Sequence, residues 1–459
     1  MVVAVAVLLI VLLLGGGRHR IQGAPPGAVA VVGHSTDPFS YATSRAVQFT
    51  ERAAAGTANV LFTKSPGGAL ATAARVAHWR PLIDAAVKGT SIDPNLLEGL
   101  VFVESAGRPD VIAGSSVSDA AGLSQILAAT ASSLLGMHVN LARSASLTSQ
   151  IDTFSGHGAA ARRRLARLER EREAADPRFD PRAELAATVR YLQDAEHTFG
   201  REDLAFESYH MGMGNLQSLL RLYDGGRAVP YVQLYFDTAP TRHAAAFRML
   251  QAFGDDSCLY WWRILGAVQL MHLYRTDRAQ LRRESNLQLD GDAGGTVLHP
   301  PGEPRRYRTP SALSAAYRDR QLVPLPRDAH TLGLAYDASL GAEARGVSAP
   351  RSLYLGLRPV ALRELEAMAD QIRSLSGAAP LRVATTVQDA AYQRAAGLAL
   401  PLATTGWQFQ IARRYRSGAQ ATAFQELLDR LQSLDLIAWT PDGGDIDVTV
   451  ASDGASWRG

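Results

Sequence analysis

From about Gly68 to Tyr274, apolar residues recur at the 3.6-residue period of an amphipathic helix, with alanine, leucine and arginine prominent throughout. A pattern of that length commits the stretch to helices packed on helices. Residues 290–306 (DGDAGGTVLHPPGEPRR) interrupt it with dense glycine and proline, so a boundary is expected over 286–306. Beyond that boundary the pattern changes. Residues 359–376 and 421–434 read as helices, and 381–387, 407–412 and 445–450 read as strands. The expected fold is a mainly α domain over 67–285 followed by a smaller α+β domain over 307–459. Residues 21–66, rich in small and polar residues, read as a linker with one short helix, and no internal repeat is visible.

Charge and cysteine usage exclude several functions. The 47 basic and 44 acidic residues leave a net charge of +3, which makes no electrostatic case for a nucleic-acid partner. The single cysteine, Cys258, excludes an internal disulfide and a cysteine-rich zinc site, and beside Leu259 and Tyr260 it reads as a small buried residue. Residues 1–14 are uninterruptedly apolar and are followed by three glycines, then Arg18, His19 and Arg20. The seventeen residues through Gly17 span about 25 Å as a helix, slightly short of the roughly 30 Å hydrocarbon core. Residues 1–20 are expected to serve as an export signal or short membrane anchor. Arginines after the run and none before it oppose simple export, and a true start upstream of Met1 would reconcile the two.

The sharpest local pattern is SIDPNLLEGLVFVESAGRPD, residues 91–110. Asp93 is a good N-cap, Pro94 suits the first helical position, and Gly107 with Pro109 ends the helix. At 100° per residue Leu97, Leu100, Val101 and Glu104 share one face, while Glu98 points toward the polar side. Glu104 is therefore a carboxyl at the end of an apolar stripe, where a helix opens into a loop. A carboxyl in an apolar setting keeps its proton to higher pH and can donate it. Asp110 and Asp119, the candidates for a second carboxylate, sit in loops and read as capping or solvated residues. The charged stretch 159–175 reads as a salt-bridged surface helix.

Downstream of Glu104 four more stretches follow in order: GLSQILAATA at 122–131, DPRAELAATVRYL at 180–192, AFESYHMGMG at 205–214 and VPYVQLY at 229–235. With the Glu104–Ser105 pair they resemble the soluble lytic transglycosylase family of the lysozyme-like superfamily, whose members cut the glycan strands of bacterial peptidoglycan. The chain departs from the family pattern at Ser124 (methionine there), Ala128 (proline), Glu184 (asparagine) and His210 (asparagine). The resemblance implies a lysozyme-like catalytic domain in which Glu104 is the one catalytic carboxyl. It would first protonate the leaving N-acetylglucosamine oxygen, then accept the proton of the 6-hydroxyl of N-acetylmuramic acid, leaving a 1,6-anhydro end. Substrate-binding roles fall on Ser105, Ser124, Gln125, Tyr209, Gly212 and Tyr231, with Tyr209 bonded near Glu104 and Gly212 in a tight turn beside the glycan. No cofactor and no metal are implied. The partners implied are peptidoglycan glycan strands and, through residues 1–20, the membrane, in an extracytoplasmic setting of the bacterial cell envelope. The alternatives are a muramidase that delivers water and a non-catalytic peptidoglycan-binding scaffold.

Residues 380–393, 403–415 and 444–453 resemble zinc-dependent D-alanyl-D-alanine carboxypeptidases. The positions of that family's ligands are occupied here by Ala403, Gln410 and Asp447, and Asp445 with Asp447 make only a weak acidic pair. A metal-free, inactive relative is expected.

Overall fold

The computed structural model describes residues 40–290, 293–300, 302, 306–454 and 457. The expected leader over 1–20 lies outside the described residues. Among them, no helix is long and apolar enough to cross a membrane.

The described chain divides into two compact units, one of residues 64–216 with 263–281, the other of 40–63, 217–262 and 282–459. The first unit is helical. Its helices include Ala69–His78, Arg80–Ala86, Pro94–Ser105, Leu141–Asp152, Gly158–Ala175, Pro181–Phe199 and Glu202–Met211. Local chemistry explains several ends. The Asp93 carboxylate accepts from Asn95 N at 2.7 Å to start Pro94–Ser105, and Ala106, in the left-handed region, ends it. Asp180 likewise caps Pro181–Phe199 through Arg182 N at 3.0 Å, and Gly200 closes that helix with a left-handed turn. Leu97, Leu100 and Val101 are fully buried, as are Leu185, Leu192, Leu204 and Phe206, and these side chains belong to the core of this unit. The charged helix Gly158–Ala175 packs on Leu141–Asp152, and Glu171 accepts from both Arg143 at 2.7 Å and Arg167 at 2.9 Å. This is the salt-bridged arm its sequence suggests.

The second unit carries the sheet. Its strands are β1 (Val323–Pro324), β2 (Leu334–Tyr336), β3 (Gly356–Leu357), β4 (Leu381–Thr385), β5 (Gln408–Ala412), β6 (Ile437–Asp442) and β7 (Asp445–Val450). β1 pairs with β3, and the other five run in the order β2-β4-β5-β7-β6. Only β2 and β4 are parallel; the other pairs are antiparallel. Every residue of the central strand β5 is buried, as expected of a strand covered on both faces. Helices Pro359–Ser376 and Gly418–Ser433 pack together and bury Leu365, Met368, Ile372, Phe424, Leu428 and Leu431.

Two expected boundaries move. Residues 217–262, read as part of the α domain, belong to the second unit. The expected linker over 21–66 contains two helices in its described part, Ala46–Gly56 and Asn59–Thr63. The first is anchored by Phe49, which is fully buried against the rings of Phe236 at 5.0 Å and Trp457 at 4.6 Å. Alanine-rich sequence with one well-placed aromatic suffices for that anchor, because burying a Phe contributes roughly 1.5–3 kcal/mol.

Candidate active site

Glu104 occupies the last turn of Pro94–Ser105 and is half-buried at the edge of the apolar stripe formed by Leu97, Leu100 and Val101. Tyr209, near the end of Glu202–Met211, is also half-buried and donates its hydroxyl to the Ser124 carbonyl at 2.8 Å. Burial, and then the neighbouring Glu104 carboxylate, push the Tyr209 phenol far above its ordinary range. Three widely separated stretches therefore meet at one place: the end of one helix, the end of another, and the turn 122–125.

That turn is held by a buried carboxyl. Both oxygens of Glu184 accept backbone N–H groups, from Leu123 at 2.5 Å and from Ser124 at 2.9 Å. The hydroxyls of Ser124 and Thr188 bond at 2.7 Å just beside them. Burial raises the Glu184 carboxyl to about 8, although the two N–H bonds and the Arg178 charge oppose the rise. Gly122 has a φ of +89°, and a Cβ there would lie 2.6 Å from both Glu184 oxygens and closer still to the Arg178 carbonyl. Only glycine fits that approach.

A buried ion pair holds the outer part of the same loop. Arg178 pairs with Asp176, both fully buried, through Nε at 2.9 Å and Nη2 at 2.7 Å. The remaining Arg178 donors reach the carbonyls of Val117 at 2.5 Å, Asp119 at 2.8 Å and Ile126 at 3.1 Å. Ser144 completes the set by donating to Asp176 at 2.8 Å. Such a pair is tolerated in the interior because its hydrogen-bonding groups find partners.

The other expected site residues separate into distinct roles. Ser105 is buried, with its hydroxyl donating to Val101 O at 3.3 Å and accepting from Gly107 N at 3.2 Å, which makes it part of the helix terminus. The Ser124 side chain is likewise buried on Thr188, so its contribution to the site is its backbone carbonyl. Gln125, at a φ of +55°, folds its amide back onto the carbonyls of Gly122 at 2.7 Å and Val111 at 3.1 Å. Gly212, at a φ of +87°, makes the turn between Glu202–Met211 and Met213–Asp224. Tyr231 does not line a groove. It is fully buried in the second unit, donates to Cys258 O at 2.8 Å and lies 5.7 Å from the Trp262 ring. Its apolar neighbours in VPYVQLY made burial as legible as exposure.

Asp119 caps its own loop by accepting from Ser116 N at 3.1 Å, and Asp110 is exposed. His210 is exposed beside Tyr209. Glu98 departs from its expected polar position, being buried between the guanidinium groups of Arg80 at 3.3 Å and Arg275. Sequence reasoning missed the roles of Arg178 and Asp176. The one available signal was the proline-flanked Asp176–Asp180 run, which reads first as a turn.

In the sheet of the second unit, Gln410 on β5 donates to Asp447 at 2.7 Å and Asp442 at 3.1 Å, and accepts from Thr385 at 2.5 Å. An amide thus clasps the two carboxylates that flank it. Among the described residues, no group of three or more His, Cys, Asp or Glu side chains is arranged to hold a metal ion.

No family model and no curated protein matches the chain.

Proposed function

We propose that this protein is a lytic transglycosylase of the cell envelope, exported and held at the membrane by residues 1–20, that cleaves peptidoglycan glycan strands between N-acetylmuramic acid and N-acetylglucosamine. The observation that carries the reading is the meeting of Glu104 with Tyr209 and the braced 122–125 turn. The lysozyme-like fold of the helical unit is part of the same proposal. Glu104 delivers a proton to the leaving glycosidic oxygen, and the C1–O4 bond breaks. The substrate's acetamido group captures the developing cation at C1. Its own 6-hydroxyl then displaces that group and returns its proton to Glu104, so the enzyme regains its starting state. Tyr209 orients the reacting sugar beside Glu104. The states of the candidate second carboxyls among the described residues favour this intramolecular route over water: Asp119 is engaged in its loop, Asp110 lies exposed, and Glu184 is occupied with backbone N–H groups. The sheet-bearing unit is proposed as a metal-free relative of the carboxypeptidases, with Gln410 holding Asp442 and Asp447.

Digestion of purified peptidoglycan followed by mass spectrometry tests the proposal. The natural chain is expected to release products with 1,6-anhydro ends, and Glu104→Gln is expected to release none while still co-sedimenting with glycan. Reducing ends instead would assign a muramidase, and no products from the folded natural chain would leave a binding scaffold.

A further inference from the structure

The helical unit holds a pocket of about 500 Å³ lined in part by the Gly158–Ala175 helix and the 179–182 turn. That volume is within the usual range for small-molecule sites. Arg172 reaches into it from the helix and is only 6% exposed. Its guanidinium stacks on the Phe179 ring at 4.0 Å, and its Nε is buried with no hydrogen-bond partner. Among the described residues no hydrogen bond or close ion pair holds this guanidinium; Asp110, Glu169, Asp152 and Asp176 act on its charge only at longer range. Leaving a buried charged donor unsatisfied costs on the order of 1–3 kcal/mol or more, so the arrangement calls for an external partner. A carboxylate is the planar acceptor that matches a guanidinium fork.

The rest of the wall has the opposite sign. Glu169 and Glu173, one helical turn apart on the same face, line the pocket with Asp110 and Asp180, against which stand only Arg172 and Arg182. The carboxylates crowd each other: after burial, the charges of Asp180 and Glu169 are what raise the Glu173 carboxyl. Trp79 adds an aromatic face suited to a cation.

We propose that this pocket binds the head group of a basic amino acid, free or at the end of a short peptide, with its carboxylate on Arg172 and its ammonium groups on Glu169, Glu173 and Asp110. A pure cation would leave Arg172 unsatisfied, and a pure anion would face surplus carboxylates. The site stands apart from the reading of Glu104 and does not depend on it.

Calorimetric titration of the full chain with four probes tests this: lysine, the dipeptide alanyl-lysine, 1,5-diaminopentane (lysine without its carboxylate) and Nα,Nε-diacetyl-lysine (lysine without its ammonium groups). Lysine or the dipeptide is expected to bind with a dissociation constant of about 1 mM or tighter, and the tighter of the two identifies a free amino acid or a chain end as the source. The diamine and the diacetyl compound are each expected to bind at least about tenfold more weakly, a difference of about 1.4 kcal/mol. Arg172→Met should erase the preference for lysine over the diamine, and Glu173→Gln should weaken lysine several-fold. Equal binding of lysine and the diamine, or no binding of either lysine or the dipeptide, overturns the proposal without reference to any variant. So does unchanged lysine affinity in a folded Arg172→Met chain.

Discussion

Glu184 braces the candidate site directly, because its two oxygens fix two consecutive backbone N–H groups of the turn that receives Tyr209. A glutamine in its place keeps the shape but turns one acceptor into an NH₂ group facing an N–H donor. Glu184→Gln is therefore expected to destabilise the protein by about 1–3 kcal/mol, read as a lower urea midpoint at pH 5. The gap should depend on pH. The folded carboxyl sits at about 8, above the roughly 4.3 of an unfolded glutamate, so the unfolded chain gives up this proton first. Its contribution to stability is then complete below about pH 4.3 and is lost as pH rises through 8. The difference between the natural chain and Glu184→Gln should accordingly shrink between pH 5 and pH 8; a gap that widens over that range would show that the carboxyl is charged in the folded state. None of this was visible in DPRAELAATVRYL, where Glu184 reads as a helix residue at an asparagine position. The partners of this buried carboxyl are backbone groups from a remote loop, and sequence spacing does not record them.

The helix that carries Glu104 depends on a close approach in its middle. A Cβ on Gly99 would come within 2.9 Å of the Ile264 carbonyl and 3.1 Å of a Val268 methyl, both on the helix Tyr260–Thr276. Helix propensity alone favours Gly99→Ala by roughly 1 kcal/mol. The backbone carbonyl opposite cannot rotate away, and overpacking of this kind costs about 1–3 kcal/mol, so the steric effect should win. Gly99→Ala is expected to lower the thermal midpoint and, by shifting the helix, to reduce any glycan release far more than the stability loss explains at 25 °C. A rise in the midpoint would mean that the two helices separate freely. The limits of Pro94–Ser105 were legible because its signals are local: Asp93 and Pro94 at one end, the glycine after Ala106 at the other. The same holds for Pro359–Ser376 and for β7, whose bounds match the expected ones. β6 was missed because its second half, Thr440 to Asp442, is exposed and polar, and β2 because three residues are too few for a period to register.

Domain limits drawn from composition failed for a different reason: the glycine- and proline-rich stretch near 290–306 is conspicuous in the sequence, yet contacts cross it freely within the second unit. Phe49 packs on Trp457, the Thr238 carbonyl accepts from Arg430, and Arg52 donates to the Asp435 carbonyl at 3.1 Å. Residues 217–262 bring Tyr231, Phe236 and Trp262 into that unit as a connected set of buried aromatic rings. Period and composition describe which face of a helix is apolar, not which remote element covers it. The consequence is testable with a fragment of residues 67–285, the span that sequence alone would select as a domain. It removes Phe49 and its partner Trp457 while retaining the Phe236 ring that Phe49 packs against, and it removes the Arg430 bond to Thr238; newly exposed apolar surface of that kind favours association. The fragment is expected to show reduced solubility and faster amide hydrogen exchange in 217–262 than the full chain, with 94–105 and 181–211 exchanging more nearly alike in both. Equal protection of 217–262 in the two would mean that this segment is stabilised without the C-terminal sheet, and the division at 286–306 would then be the physical one.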